Sequence, residues 1–464
     1  MQVSETAGRL KREMSGMGGL MITLSTLSPS IGVFVVASDM IKTCGSFTLI
    51  AFVLILALGV AMSLIYAELG SAFPHAGGDY ALIGRILGPT AGFAALAVLL
   101  AAMPTGLAMT ALGFSDYVRV VAPGLAPLPT ALCAVVAVTV IAALSVRLNA
   151  WVTGVFMLIE MATLAAVAVL GLGHIRRSVV PLLIHPLQPL AHGAIGPVGV
   201  LTAAVGLAGA AYAFNGYGSA VMLGEEVVGA RRKMGWIICT SLGLAALLML
   251  PAVVGVLVGA ADLSALLHAE APIAAFLKAL GGENLSILLS LAIAGALFNA
   301  MIAIALIGAR VLFAAARDGV WTRGANRVLS IVHPKYGSPW PATLVIGAVG
   351  LVLCLLPIKV LITINGNGVV AGYALIALAG LVGRKSGATQ GAWAKAPAHP
   401  LAPICALIFL AILFVANMMD PGAGRTGMVV TCITMAAGAG LYALAHRNRS
   451  GWRLTDAVAE APEV

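Results

Sequence analysis

Glu160 sits midway along the apolar run "AWVTGVFMLIEMATLAAV" and is the one acidic residue of 17 that falls inside such a run. The other sixteen lie at the ends of apolar runs, in the segments between them or in the tails. An ionised carboxylate at bilayer centre costs about 2.5–3.5 kcal/mol on insertion scales, so a residue there is a functional candidate by default. Desolvation disfavours the charged form of a carboxyl group, so a group at that depth could take up and release a proton. The competing reading is a protonated glutamic acid hydrogen-bonded to a neighbouring helix, with no part in a proton cycle.

Two further stretches put polar and helix-breaking residues inside apolar runs. "TLSPSIGVF" (Thr26 to Phe34) interrupts the run from Met17 to Asp39, and "FNGYGS" (Phe214 to Ser219) interrupts a second run. Irregular backbone at membrane depth survives only where protein or a water-filled cavity satisfies it. A break at Ser28–Gly32 would expose amide donors at a half-helix N-terminus, which suits a carboxylate. Ser28 and Ser30 add hydroxyl donors, and Gly32 would let a ligand approach the backbone closely. In the second break, the amide of Asn215 and the carbonyls around Gly216 could receive an ammonium group. A proline kink would explain the first break alone. Two Gly/Pro-broken helices in corresponding places of two halves point instead to a transporter's binding site. Met103 and Thr105 in one run, and Phe298 and Asn299 in another, are weaker candidates for its wall. "NGNGVVAGY" (Asn365 to Tyr373) could form the far side, or could be small-residue helix packing.

The elements that must position these groups follow from composition. The 464 residues are 61% hydrophobic and only 9% charged, with a mean hydropathy of +1.06, whereas a soluble domain carries about 25% charged residues. The apolar stretches are long runs rather than ten-residue alternations, so the chain reads as an all-α integral membrane protein. Twelve spans are expected, near 17–39, 46–69, 88–115, 127–146, 150–172, 197–226, 234–259, 284–313, 340–357, 360–383, 400–418 and 426–446. With the N-terminus inside, 19 of the 26 lysines and arginines fall on the cytoplasmic side, so the positive-inside rule places both termini in the cytoplasm. The net charge of +9 does not indicate a nucleic-acid partner, because the cations are spread through short loops.

Other features narrow the reading. Basic residues precede the first run, but it is too long for a signal peptide and no small-residue cleavage site follows, so it is expected to be retained. The six cysteines are scattered without paired spacing and read as small core residues. The eight histidines show no ligand spacing, and neither a phosphate-binding loop nor a catalytic triad is present. No cofactor, no metal and no enzymatic activity are therefore expected. Residues 76–87, 262–280 and 315–332 look amphipathic and read as interfacial helices covering the ends of a bundle. Glu225 and Glu226 with Arg231, Arg232 and Lys233 read as a charge cluster at an inner helix end.

"YAELGSAFPHAGGDYALIGRILGP" (Tyr66 to Pro89) resembles the segment after helix 2 in the amino acid–polyamine–organocation superfamily of permeases, where E-L-x-x-x-F-P-x-A-G-G-x-Y ends in G-P. "AYAFNGYGSAVMLGEEVVGARRKM" is similar to the family's broken helix 6. "GARVLFAAARDGVWTR" followed by "VHPKYGSPWPA" is similar to its stretch after helix 8. The resemblance implies twelve transmembrane helices in a leucine-transporter-type 5+5 inverted repeat plus two C-terminal helices. The corresponding division is a cytoplasmic tail at 1–16, repeats at 17–172 and 197–383, two helices at 400–446 and a cytoplasmic tail at 447–464. It also implies an amino-acid or amine site between helices 1 and 6. The family's helix 1 break is G-S-G-[IV]-F; here Ser30, Ile31, Gly32, Val33 and Phe34 fill those places. Tyr212 matches the helix 6 aromatic that covers substrate, although a mid-span aromatic is often plain packing. Glu160 matches a helix 5 position where several members carry a lysine held to act as proton carrier or cation substitute, with the sign of charge reversed here.

The expectation is a secondary active transporter of the inner membrane that moves an amino acid by alternating access, coupled to protons or exchanging substrates. The alternative is an amine or polyamine carrier. A membrane sensor that binds without transporting is a rival from another class.

Overall fold

The computed structural model describes residues 12, 14–74, 77–144, 146–397, 399–421 and 423–445. The two tails named above lie outside them, apart from residues 12 and 14–16.

Helix α1 (Gly16–Leu27) begins behind Ser15, whose side chain accepts from the Gly18 amide. It ends at Ser28, which turns into the left-handed region at φ +44°. Pro29 contributes, because a residue before proline is disfavoured in the right-handed helical region. The chain resumes as a π-helical stretch, Ile31–Ala37, and runs into α2 (Ser38–Cys44). Helices α3 (Phe47–Ala72), α4 (Gly78–Leu87), α5 (Pro89–Val121), α6 (Pro127–Ala143) and α7 (Val146–Gly173) follow. A short helix α8 (Val179–Ile184) and an antiparallel pair, β1 (Leu187–Pro189) with β2 (Ile195–Pro197), lead to α9 (Val200–Ala210). After a non-helical stretch the chain forms a 3-10 segment, Tyr217–Leu223. Then come α10 (Ala230–Gly259), α11 (Leu263–His268), α12 (Pro272–Arg317), α13 (Arg323–Leu329), α14 (Trp340–Leu353), α15 (Ile358–Lys385), α16 (Leu401–Met419) and α17 (Ala423–Ala445).

Among the described residues, nine helical stretches are long and apolar enough to cross a membrane, and α6 and α14 are shorter apolar helices. The core lies on α12, where every residue from Asn299 to Ala316 is buried. It packs against α5, α7, α6, α14 and α1, while α10 packs against α7, α3 and α1. On the periphery, α16 and α17 turn Ile408, Ile412, Val415, Ile433 and Leu444 outward. Such residues suit hydrocarbon, and the helices carry their own backbone hydrogen bonds there.

One expectation is corrected. Segment 76–87 does not cover the bundle as a surface helix, because Gly78 to Gly84 are all buried. Its polar residue is drawn inward by a partner, Tyr66, whose hydroxyl donates to Asp79 Oδ2 at 2.8 Å. Tyr80 packs edge-on against Phe93, and Gly78 lies against Met222. By contrast, α13 has no buried residue. The charge cluster read around Glu225 and Glu226 also takes in two arginines of α12. Arg317 binds both oxygens of Glu225 at 2.8 Å, and the buried Arg310 binds both oxygens of Glu226. In both pairs the planar guanidinium matches the carboxylate bidentately. Arg231 and Lys233 donate to backbone carbonyls of Gly391 and Val228.

Candidate functional site

The two backbone interruptions abut. Gly216 has φ +128°, a conformation that side-chain-bearing residues avoid. A Cβ there would lie 2.6 Å from the Leu27 amide nitrogen, against the end of α1. Reciprocally, a Cβ on Gly32 would lie 2.7 Å from the Ala213 carbonyl oxygen and strike the Met249 side chain. Each break thus supplies the glycine that lets the other's backbone come close.

What the first break does with its donors is clear from the contacts. Glu160 Oε1 accepts from the Ser30 amide at 2.8 Å and from the Ser28 hydroxyl at 3.2 Å. The Ile31 amide donates to Ser28 Oγ at 3.3 Å, and the Gly32 amide to the Ser28 carbonyl at 3.2 Å. A carboxylate does sit on this half-helix N-terminus, and it is the protein's own. Glu160 is fully buried, and its second oxygen, Oε2, has no partner, nor has Ser30 Oγ.

The second break opens onto a cavity between α1, α3, α4, α5, α15 and the 212–222 stretch, in which the centre of a water molecule has about 80 Å³ to move. Of the residues singled out in the sequence, Met103, Tyr212, Asn215 and Gly216 line it, as do Asn365, Gly368, Val369, Gly372 and Tyr373 of the 365–373 stretch. Ser28, Ser30, Ile31, Gly32, Thr105, Phe298, Asn299 and Glu160 do not. Thr105 Oγ1 donates to the Ala101 carbonyl at 2.6 Å, Phe298 packs against Phe114, and Asn299 Nδ2 donates to Ser25 Oγ at 3.1 Å. Phe298 and Asn299 join helices around the site, whereas the Thr105 bond stays within α5.

Three tyrosines, Tyr66, Tyr212 and Tyr373, belong to the cavity's polar lining. Tyr66 and Tyr373 form, with Tyr217, which does not line it, a ring of mutual contacts with centroids 6.0 Å apart. The Tyr373 hydroxyl donates to Asn215 Oδ1 at 3.1 Å, tying α15 to the second break. Asn365 also ties α15 across. Pro104 bends α5, and with the Asn365 amide turned to satisfy both its atoms, it donates to Ala102 O and accepts from Gly106 N, each at 3.1 Å. A side chain of α15 thereby mends the backbone ladder of α5.

Asp79 is the residue that sequence reasoning missed. It lines the cavity, its Oδ1 has no partner, and burial pushes its carboxyl up to about 7 against the lowering pull of the Tyr66 hydroxyl. The signal was present in "PHAGGDY", but α4 was read there as a surface helix. A second cavity, where a water centre has about 190 Å³, lies further along the same helices and is bordered by Phe34, Asp39, Gly113, Tyr117 and Ile362. On α1–α2, α5 and α15 the two cavities occupy successive levels, with the first break between them.

This fold and site define a multi-pass helical membrane protein with a solute-sized cavity where two broken segments meet. The amino acid permease family model matches residues 17–437, and the chain belongs to that family. It is 28% identical over 350 residues to the human Asc-type amino acid transporter 1, an alignment covering 72% of this chain and 64% of that protein. The chain thus spans a little under two-thirds of that relative's length. It is 24% identical over 436 residues to the branched-chain amino acid permease of Bacillus subtilis, covering 89% and 90% of the two chains. An uncharacterised transporter of Mycobacterium tuberculosis is 27% identical over 377 residues, 79% of each. The family and these relatives are transporters rather than enzymes.

Proposed function

We propose that the chain is a secondary transporter that carries an amino acid across the cytoplasmic membrane by alternating access. The observation that carries this reading is the pair of abutting breaks, one of which borders a cavity lined by Tyr212, Asn215 and Gly216. The substrate backbone binds at that break, its ammonium meeting the Asn215 amide oxygen and nearby carbonyls. Twelve helices form the transporter, with repeats at 17–172 and 197–383, two further helices at 400–446 and both termini in the cytoplasm. The bundle of the first, second, sixth and seventh spans rocks against the rest. The stacked cavities on α5 and α15 are what such rocking would open in turn.

Glu160 couples the cycle to protons in this reading. Hydrogen bonds to an ionised acceptor are roughly twice as strong as neutral ones, so a charged Glu160 fixes the first break and a protonated one loosens it. Substrate exchange needs no such change. Uptake of radiolabelled amino acids into proteoliposomes tests the whole reading. Concentrative or counterflow uptake is expected. Binding without uptake would favour a sensor and overturn it.

A specific observation favours a second reading, an amine carrier. Asp79 is the charged residue lining the cavity, and its Oδ1 is free to accept from an ammonium group. Amines that compete for uptake in the wild type, and lose that ability in Asp79→Asn, would support it.

A further inference from the structure

Two glycines of α15 face the cavity without being needed for helix packing. Asn365, Gly368, Val369, Gly372 and Tyr373 recur at the spacing of one helix face, and all line the cavity. A Cβ built on Gly372 meets no atom within 4 Å, and one on Gly368 meets only Val98 Cγ1 at an ordinary 3.5 Å. Further along the same helix the situation reverses: a Cβ on Gly380 would lie 2.6 Å from Ile65 Cγ2, so that glycine is there for close contact. Glycine weakens a helix relative to alanine, and at 372 no close approach compensates. What glycine does provide at 372 is room.

That room has an apolar wall. Across from α15, α5 presents Val98, Leu99 and Ala102, and Val369 stands between the two glycines. Among the described residues lining the cavity there is no lysine, arginine or histidine, and the one carboxyl, on Asp79, accepts from Tyr66. An acidic side chain would find no countercharge in the cavity, and a polar one lying against the Val98–Ala102 face would leave its donors unmet.

We infer that the space between Gly368, Gly372 and the Val98–Ala102 face of α5 is the side-chain subsite of the transported amino acid, that it takes an uncharged aliphatic group, and that Gly372 sets the largest group admitted. The inference rests on the amino acid transport reading. A methyl or isopropyl group at position 372 would project into the subsite and subtract from the length of substrate side chain it accepts.

The test is competition against radiolabelled alanine on purified protein with glycine, alanine, valine, leucine and phenylalanine, in wild type and in Gly372→Ala and Gly372→Val. A pocket discriminates by about tenfold or more per one or two methylene groups. Gly372→Val should therefore weaken leucine at least tenfold relative to alanine, with alanine itself changed less than threefold, and Gly372→Ala should give a smaller shift in the same direction. Gly440→Val on α17 serves as control, because a Cβ there also meets nothing within 4 Å yet the residue does not line the cavity; its profile should match wild type. If Gly372→Val does not fold, Gly372→Ala carries the test alone, since helical alanine at an open position is not destabilising. An unchanged leucine-to-alanine ratio in a variant that still binds alanine overturns this inference and leaves the transport reading standing. A wild type that binds none of the five overturns this inference, whereas failure to take up any of the twenty amino acids overturns the transport reading itself.

Discussion

The two broken segments touch each other but face different surroundings. At the first, each amide from Ser30 to Gly32 already has an acceptor within the protein: Glu160, the Ser28 hydroxyl and the Ser28 carbonyl. At the second, Asn215 and Gly216 border a cavity, and the Asn215 side chain accepts from a tyrosine that also lines it. An interrupted helix is therefore not a ligand site by virtue of the interruption. The donors it frees must also be unclaimed. A half-helix N-terminus attracts an anion, and here a carboxylate reaching over from α7 has met that demand.

The contrast can be broken most severely at the contact between the two segments. Gly216→Ala puts a Cβ on a residue at φ +128°, facing the Leu27 backbone. Strain and overpacking together should cost about 2–6 kcal/mol. Loss of monodisperse protein on size exclusion, or a collapsed melting temperature, is the expected result. Gly32→Ala should be milder, because its backbone is ordinary and Met249 is a flexible neighbour, although the Ala213 carbonyl cannot easily yield. Equal stability of the two variants would mean that the breaks do not depend on this contact.

Much of the architecture was legible in the sequence because it depends on neighbours along the chain. Hydropathy places the helices, and Ser28-Pro29 announces where α1 must stop. Glu160 stood out because a carboxyl group inside an apolar run is conspicuous. Its partner was not legible: Ser30 lies 130 positions away, and nothing local says that α7 delivers its carboxylate to the first break rather than to a cavity. Asp79 was hidden for a related reason. The period of 76–87 looks amphipathic, and only Tyr66 and Met222, supplied by other elements, make the polar face an inner one. The pairing of Glu226 with Arg310, 84 positions apart, likewise lost out to the nearer cations in a reading by sequence.

Two of the buried carboxyl groups, Asp79 and Glu160, sharpen the comparison, since each has one engaged oxygen and one without a partner. Asp79 borders the cavity, and burial raises its carboxyl from 3.8 to about 7. The folded protein therefore holds a proton between about pH 4 and 7 that the unfolded chain releases. Stability falls as pH rises through that window and is level above it. Asp79→Asn keeps an acceptor for the Tyr66 hydroxyl and removes the titration. It should be more stable than wild type above pH 7, on the order of 1–3 kcal/mol, with the difference shrinking towards pH 4. Melting temperatures across pH 4.5–8 check this, and parallel curves for the two proteins would show that Asp79 does not titrate in the window.

The smallest effect on stability is expected at Glu160→Gln. The glutamine side-chain oxygen can still accept from the Ser30 amide and the Ser28 hydroxyl, so the loss should stay within about 1 kcal/mol. Glu160→Ala leaves the buried Ser30 donor unmet and should cost about 1–3 kcal/mol. A pair of melting curves separates the two, and comparable losses in both would mean that the charge on Glu160, not its acceptor, holds the first break. Transport then tells which role the charge has. Glutamine cannot release a proton, so if protonation of Glu160 loosens the break, Glu160→Gln should exchange substrate for substrate but fail to accumulate it against an imposed pH gradient. If instead Glu160 is only the acceptor that closes off a half-helix N-terminus, the variant should accumulate substrate as wild type does. In that case the first break would be structural, and the second alone would carry the substrate.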